Sequence, residues 1–245
     1  MPDITASNSA VIKVDNAATW NTARQSSSGT ASEPTNLSLK IATAIGPYDI
    51  HRTFIVFDTS SITVTPTSAT LKLTAPSTGA KQNNYIVLKG SSTTTGSTTA
   101  EYVNGDFGKG EFPFVAFSAI QQASSWSNGS VNEITLNATA RQAMADLDEF
   151  RIVIIAEQDY NNDDTATSTK SGPGFRSAAY GTVADRPKVS YVAGSASESE
   201  TPKEKRNKRR RRRSKGARGK GGFAVKDVIA SSGGGSSTGN GFSDI

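Results

Sequence analysis

His51 is the only histidine of this 245-residue chain and the first candidate for acid–base chemistry. It is flanked by Asp49 and Arg52, at the start of a predicted strand. A Ser-His-Asp arrangement would also need a nucleophile on a sharp turn, and the sequence contains no G-x-S-x-G motif. Cysteine is absent, which excludes thiol catalysis, thiolate metal sites and disulfides. We therefore interpret His51 as a structural or surface residue.

Carboxylates are the second candidate for chemistry. Two of them can hydrolyse a glycosidic bond without a histidine when they are held about 5–9 Å apart across a cleft. The carboxylates near predicted strand ends are Asp58, Asp106, Glu111, Glu157 and Asp159. Nothing in the sequence makes any two of them converge, so we interpret them as solubilising charge and predict that the protein is not an enzyme.

The segment "EQDYNNDDTAT" concentrates oxygen atoms that could bind calcium after a predicted strand. Calcium takes six to eight oxygen ligands in flexible geometry, and Asp159, Asp163 and Asp164 are the candidate ligands. The segment lacks the glycine and the terminal glutamate of an EF-hand loop. A turn in which Asn and Asp side chains bond to nearby backbone explains the same residues. No other cofactor is predicted.

Aromatic side chains at predicted loops and strand ends could stack on a sugar ring. Tyr48, Tyr102 and Tyr160 are the candidate glycan contacts, and packing in the core or at its rim is the alternative for each.

The elements that must position these residues are mostly strands. Short runs rich in β-branched and aromatic residues, several of them alternating, are separated by clusters of Gly, Pro, Ser, Thr and Asn. They are "AVIKV", "NLSLKIAT", "RTFIVFDT", "SATLKLTA", "NYIVLKG", "NEITLNA", "FRIVIIAEQ" and "PKVSYVA". Two of them, "RTFIVF" and "FRIVII", are apolar at nearly consecutive positions, which predicts central strands buried on both faces. The pattern predicts a two-sheet sandwich.

One short helix is predicted in "NATARQAMADLDE". Ala140, Met144 and Leu147 recur at helical spacing, and either Asn137 or Thr139 can cap the start of the helix.

Charge divides the chain into two unlike parts. The whole chain has 27 Lys and Arg residues against 22 Asp and Glu residues. The segment "KEKRNKRRRRRSKGARGKGG" at 203–222 holds twelve of the cations and a single carboxylate, which leaves 15 cations against 21 carboxylates elsewhere. The body is therefore acidic, and the basic character of the chain resides in this tail.

Composition also defines the domain organisation. We predict a β-sandwich domain at 1–193, a basic low-complexity arm at 194–222, a short apolar anchor at 223–230 and a Gly/Ser-rich tail at 231–245. The arm has no aromatic or β-branched apolar residue, so its composition predicts disorder when it is not bound. The anchor residues are Phe223, Val225, Val228 and Ile229.

The basic arm has three interpretations. Its cations could release counterions from phosphates and bind nucleic acid without sequence preference, or their guanidinium groups could grip carboxylates on acidic proteins, including neighbouring copies. The third interpretation is a solvated run that only aids solubility. The candidate binding residues are Lys205, Arg206, Lys208, Arg209, Arg210, Arg211, Arg212, Arg213, Lys215, Arg218 and Lys220.

The order of several motifs resembles a known family. "RTFIVFDTSSI", "SATLKL", the Trp126 of "SSWSNG", "EITLNATARQAM", "FRIVIIAE" and "AAYGTVADRPKVSYV" are similar, over about 11–192, to DNRLRE-type β-sandwich domains, which are relatives of carbohydrate-binding modules. The resemblance implies a jelly roll of the kind found in bacterial surface proteins and phage particle proteins, where it serves adhesion or assembly more often than catalysis. It also implies that Trp126 belongs to the core.

Together these patterns predict an all-β jelly-roll sandwich with one short helix and a long, extended basic C-terminal arm. The start of the sequence does not resemble a secretory signal, and no apolar run approaches the roughly 20 residues that span a bilayer. The expected function is that of a non-enzymatic structural protein of a phage virion, such as a capsid, decoration, neck or tail component. Its expected partners are other virion proteins, copies of itself and, through the arm, nucleic acid, with no membrane. A glycan-binding module or adhesin is the alternative, and a glycan-degrading enzyme is a third.

Overall fold

Antiparallel strands make up most of the described chain. The computed structural model describes residues 1–24, 26, 30–32, 34–42, 47–90, 115–165 and 170–195, all within one unit, Met1–Pro202. The described strands are β1 (Asp3–Ala17), β2 (Thr30–Ser32), β3 (Asn36–Ala42), β4 (Tyr48–Asp58), β5 (Ser68–Thr74), β6 (Tyr85–Lys89), β7 (Val131–Thr135), β8 (Glu149–Ala156), β9 (Lys170–Arg176) and β10 (Lys188–Val192). The described α-helices are α1 (Trp20–Arg24), α2 (Ala138–Asp146) and α3 (Glu157–Asn161). None of the described helices is long and apolar enough to cross a membrane.

The long strand β1 joins the two halves of one curled sheet. Its first residues pair with β10, as in Asp3 opposite Ser190, and from Ala6 onward it pairs with β4. The pairing order is β6-β8-β4-β1-β10-β5-β7, while β2 pairs with β1, and β3 lies between β4 and β9. A register shift between Ala6 and Asn8 marks the change of partner, and irregularities of this kind bend a strand. The prediction of an all-β protein is confirmed at this level, and the curled sheet is consistent with a sandwich.

The main core lies between the two halves of the sheet. It joins residues of β4 and β8 to residues of β5, β7 and β10, among them Phe57, Ile152, Leu71, Ile134 and Val189. Since each half contributes one apolar face, the core closes only when the sheet curls.

Trp126 is buried in the main core, as the family resemblance implied. Only 2 % of it is exposed, and its ring lies edge-on to Tyr85, with the ring centroids 5.6 Å apart, and close to Phe175. It therefore acts as a packing residue and presents no face to a ligand.

A second apolar cluster covers the opposite face of β4 and β8. Phe54, Val153 and Ile155 belong to it, together with Trp20 of α1, whereas their neighbours in the two strands face the main core. Successive side chains of a strand point to opposite faces. A strand that is covered on both faces therefore has apolar residues at consecutive positions, as both of these strands do. The prediction that these two strands are buried on both sides is confirmed.

Four described elements differ from the sequence-based expectation, namely β2, β9, α1 and α3. The strand β9, "KSGPGFR", contains two glycines and a proline, which normally argue against a strand. It is tolerated here because β9 pairs only with β3 among the described strands, so it occupies an edge position. In addition, β1 extends well beyond the predicted segment in both directions.

Helix α2 begins at a cap provided by Asn137. The side-chain oxygen of Asn137 accepts a hydrogen bond from the amide of Ala140 at 3.0 Å, and its Nδ2 donates to the carbonyl of Ala116 at 2.7 Å. Of the two caps that the sequence allowed, Asn137 is the one used, and Thr139 lies exposed on the first turn.

Replacing Asn137 with alanine is expected to lower the free energy of unfolding by about 1–2 kcal/mol, because one helix amide and one loop carbonyl lose their partner. Urea unfolding measures the change. Thr139→Ala is the matched control and should change stability by less than about 0.5 kcal/mol. An equal loss in both variants would show that the Asn137 cap is not what holds the start of α2.

Candidate functional site

A polar pocket of about 280 Å³ lies where α3 meets the residues before β6 and the start of β9. We call it the amide pocket. All of its lining side chains are polar or charged. Five are amides (Gln82, Asn83, Asn84, Gln158 and Asn161), two are carboxylates (Glu157 and Asp163), and one is the amine of Lys170.

Hydrogen bonds hold the floor of the amide pocket in place. Asn84 and Glu157 bond twice, since Asn84 Nδ2 donates to Glu157 Oε2 at 2.9 Å and the Glu157 amide donates to the Asn84 carbonyl at 2.9 Å. Asn84 Oδ1 also accepts from the amide of Ala123 at 2.9 Å. Across the pocket, Asn83 Nδ2 donates to the carbonyl of Lys170 at 2.9 Å. These bonds join β6, α3 and β9 around one opening.

One buried polar atom at the amide pocket has no hydrogen-bond partner within the described part of the chain. The Oδ1 of Asn83 is buried and accepts no hydrogen bond, although Asn83 itself is only 2 % exposed. The pKa of Asp163 is held below its usual range by the hydroxyl and the amide of Thr165. The negative charges of Glu157 and Asp163 and the positive charge of Lys170 give the lining a formal net charge of −1.

A buried ionic cluster lies next to the amide pocket and fixes α3. Asp159 is fully buried, and its Oδ2 accepts from Arg52 Nε at 2.6 Å while its Oδ1 accepts from Arg52 Nη2 at 2.8 Å. Arg24 Nε donates to the same Oδ1 at 3.2 Å and to the Asp159 carbonyl at 3.0 Å. One carboxylate therefore ties α1, β4 and α3 together. We call Arg24, Arg52 and Asp159 the arginine cluster.

The structure does not bring the three predicted calcium ligands together. Both carboxylate oxygens of Asp159 face guanidinium groups, Asp163 Oδ1 accepts from the Thr165 amide at 3.0 Å, and Asp164 is exposed. The bond from Thr165 to Asp163 has the pattern of the local turn that was the alternative to calcium. Within the described ranges, no group of three or more His, Cys, Asp and Glu residues could hold a metal ion.

His51 lies in β4 and is 9 % exposed. Its Nε2 is 2.9 Å from Asp15 Oδ1, near the end of β1. Asp49 Oδ1 accepts from the amide of Asn16 at 2.8 Å, and Asn16 adopts a left-handed conformation with φ of 61°. Both contacts connect β4 to the end of β1, which agrees with the interpretation of His51 as a structural residue.

The predicted carboxylates have different surroundings. Asp58 ends β4 in an exposed position, and its bonds to Ser60 lower its pKa. Glu157 belongs to the amide pocket and Asp159 to the arginine cluster, while Asp106 and Glu111 lie outside the described residues.

Two of the three candidate glycan contacts, Tyr48 and Tyr160, lie within the described residues, and both are partly covered by packing. Tyr48 is half-buried and meets Trp20 edge-on, with the ring centroids 6.3 Å apart. Tyr160 is also half-buried, and both tyrosines pack against the second apolar cluster. Tyr102, the basic arm with its eleven candidate residues, and the anchor Phe223, Val225, Val228 and Ile229 lie outside the described residues.

Of the eight lining residues, sequence reasoning singled out only Glu157 and Asp163. Glu157 was considered as a carboxylate for glycoside hydrolysis and Asp163 as a calcium ligand. The pocket residues before β6 belong to "KQNN", a stretch that composition assigns to a turn. The available signal was the run of three consecutive amide side chains, Gln82, Asn83 and Asn84. Comparison of the chain with protein-family models gives no match, and comparison with curated proteins gives none either.

Proposed function

We propose that the protein is a non-enzymatic structural component of a phage particle, tethered into the particle by its basic C-terminal arm. The observation that carries the proposal is the separation of charge along the chain. Residues 203–222 hold twelve cations and one carboxylate, whereas the remainder holds 15 cations and 21 carboxylates. Charges distributed so unevenly suit an arm that binds an acidic partner outside its own domain.

The arm would bind through Arg209–Arg213 and the neighbouring cations. Arginine forks pair with carboxylates or phosphates in a bidentate manner, so acidic virion proteins, neighbouring copies and nucleic acid all match the same chemistry. The apolar anchor at 223–230 would then fill a groove of the partner or add a strand to its sheet.

The body would be a jelly roll of the DNRLRE type. This finer assignment is supported by the two sheet halves that share β1 and enclose the main core. The buried residues of the main core that the structure describes run from Ala6 to Val189. A body with its own core and a separate basic arm is the organisation that a tethered component needs.

Replacing Arg209–Arg213 with glutamine is expected to lower incorporation of the protein into particles at least tenfold, because five of the twelve cations are lost. Quantitative mass spectrometry of purified particles measures the copy number. The matched control is a chain in which the residues of 203–222 are shuffled, which keeps the charge and should keep incorporation. Normal copy number of the neutralised chain would contradict the proposal.

The salt dependence of binding to double-stranded DNA distinguishes the partners of the arm. If the arm binds phosphates, the slope of log affinity against log salt should become shallower by about 4–5 in the neutralised chain. Weak DNA binding by both chains would argue against double-stranded DNA and leave acidic proteins as the partners to test.

A further inference from the structure

We propose that a strip of cations on the body binds an acidic segment of a neighbouring copy of the same chain. The cations are Arg176, Arg186, Lys188 and Lys72, which we call the basic strip. The acidic segment is 196–202, "ASESETP", which precedes the cations of the arm. The tether function rests on the cations of 203–222, so the proposal goes beyond that function and does not depend on it.

The first argument is that two arginines of the basic strip lack a counter-charge. Three of the six described arginines form ion pairs with carboxylates, namely Arg24, Arg52 and Arg151. Arg141 donates to the carbonyls of the loop before β5. Arg176 and Arg186 have no carboxylate partner within the described ranges, and the neighbouring Asp185 pairs with neither of them. In a body with an excess of carboxylates, this leaves an opening for an acidic partner.

The second argument is that both guanidinium groups are already held in position. Arg176 Nη1 donates to Asn36 Oδ1 at 2.6 Å, and its Cζ lies 4.3 Å from the centroid of the Tyr180 ring. Arg186 Nε donates to the carbonyl of the same Tyr180 at 2.7 Å. These contacts occupy one donor nitrogen of each arginine, so other N–H groups of both remain for a carboxylate, which guanidinium groups bind in a bidentate manner.

The third argument comes from the two lysines. The β10–β5 register places Lys188 directly opposite Lys72, and like charges in this position destabilise a sheet. Lys72 has a partner in Glu133, with Nζ and Oε1 3.5 Å apart, whereas Lys188 has no carboxylate partner in the part of the chain that the structure describes. A carboxylate bound beside Lys188 would offset this repulsion.

The spacing of the charges matches on the two sides. Arg186 precedes β10 with an extended backbone, at φ of −66° and ψ of 155°, so it lies about 6–7 Å from Lys188 along the chain and on the same face. Glu198 and Glu200 are also two residues apart, so in an extended segment their carboxylates would have the same spacing and the same side. The segment 196–202 contains no cation that would oppose binding.

The direction of the chain after β10 favours a neighbouring copy over the segment of the same chain. The carbonyl of Val192 accepts from the amide of Thr67 at 2.9 Å, and any side chain at Gly194 would collide with the carbonyl oxygen of Thr65. Because Ser68 is opposite Val192, these contacts continue the antiparallel path beyond the end of β10. The chain therefore leads away from Lys188, and a segment of its own would have to reverse direction to return.

The first test is a titration of the isotope-labelled full-length protein with a synthetic peptide of the sequence "ASESETP", followed by NMR at low salt. We expect saturable shifts of the amides of Arg186 and Lys188, with a dissociation constant in the millimolar range, because partly exposed ion pairs are individually weak. Salt of about 0.5 M should abolish the shifts. A peptide of the same composition with its two glutamates adjacent should bind at least threefold more weakly, since neighbouring side chains of an extended chain point to opposite sides.

A pair of substitutions locates the binding. Arg186→Gln combined with Lys188→Gln removes two charges of the basic strip and should weaken peptide binding at least fivefold. Lys81→Gln combined with Lys89→Gln is the matched control, because both lysines are exposed and lie outside the strip. Its affinity should equal that of the unmodified protein. Urea unfolding of both variants shows that the body is intact.

Charge reversal tests whether the contact joins two copies. One full-length variant carries Arg186→Glu and Lys188→Glu, and the other carries Glu198→Lys and Glu200→Lys. Each variant alone should associate less than the unmodified chain in sedimentation equilibrium at low salt, because its strip and its segment then have the same sign. An equimolar mixture should recover the association, because the reversed strip of one variant matches the reversed segment of the other.

Three outcomes would overturn the proposal. They are the absence of saturable shifts with the peptide, binding that Arg186→Gln and Lys188→Gln or the adjacent glutamates leave unchanged, and a mixture that associates no more than its two components. None of these measurements involves incorporation into particles or changes Arg209–Arg213, so failure of this proposal and failure of the tether function are distinguishable.

Discussion

Replacing Asp159 with asparagine is expected to lower the free energy of unfolding by about 3–5 kcal/mol, because two buried guanidinium groups lose their shared carboxylate. Arg52 is fully buried and Arg24 is 3 % exposed, so water cannot replace the lost charge. Asparagine preserves the shape of the side chain, which restricts the change to charge and hydrogen bonding. Proteins are stable by only about 5–15 kcal/mol, so the variant should be close to unfolding at ordinary temperature.

Urea unfolding followed by circular dichroism and by tryptophan fluorescence measures this loss. Trp20 reports on α1, since its Nε1 donates to Asn162 Oδ1 at 3.0 Å at the end of α3. Asp164→Asn is the matched control, because Asp164 is exposed a few residues further along the chain, and it should change stability by less than about 0.5 kcal/mol. If Asp159→Asn stayed within about 1 kcal/mol of the unmodified protein, the arginine cluster would not be what fixes α3.

The sequence predicts the buried strands well because their signal is local. The runs in β4 and β8 are apolar at consecutive positions, and the structure shows the reason, since their side chains alternate between the main core and the second apolar cluster. The Asn137 cap is also local, because its bond to Ala140 spans only three residues. Patterns within a few residues are sufficient for these features.

The elements that the sequence missed depend on neighbours distant in the chain. The strand β9 carries residues that disfavour strands, and pairing with β3 at an edge overrides that preference. Helices α1 and α3 have five residues each, too few to show a helical period. They are held instead by the arginine cluster, in which Asp159 is 135 residues from Arg24 and 107 residues from Arg52.

The amide pocket illustrates the same limit. Its two principal walls meet because β6 pairs with β8, with Tyr85 opposite Ala156. This register places Asn84 beside Glu157, although no motif in either segment predicts this contact. The calcium prediction rested on the many oxygen atoms after β8, but a sequence does not show in which direction these atoms point. In the structure, Asp159 points inward to the guanidinium groups.

The body and the arm have different tasks in this account. The body would be the folded part of the component, and the arm would hold it in the particle. The charge along the sequence agrees with that division, since 203–222 holds twelve cations and one carboxylate while the remainder is acidic.

Deleting residues 203–245 is the change that separates the two tasks most completely. We expect the shortened chain to keep the free energy of unfolding of the body within about 0.5 kcal/mol of the full-length value, because all described residues of the main core precede residue 190. We expect it to be absent from particles, because it lacks the twelve cations and the apolar anchor.

The most direct measurement is the copy number of this shortened chain in purified particles, determined by quantitative mass spectrometry beside the full-length chain. Urea unfolding of the same preparation shows whether the body is intact. We expect a folded body and a copy number reduced at least tenfold. A folded body that is still incorporated at the normal copy number would contradict it.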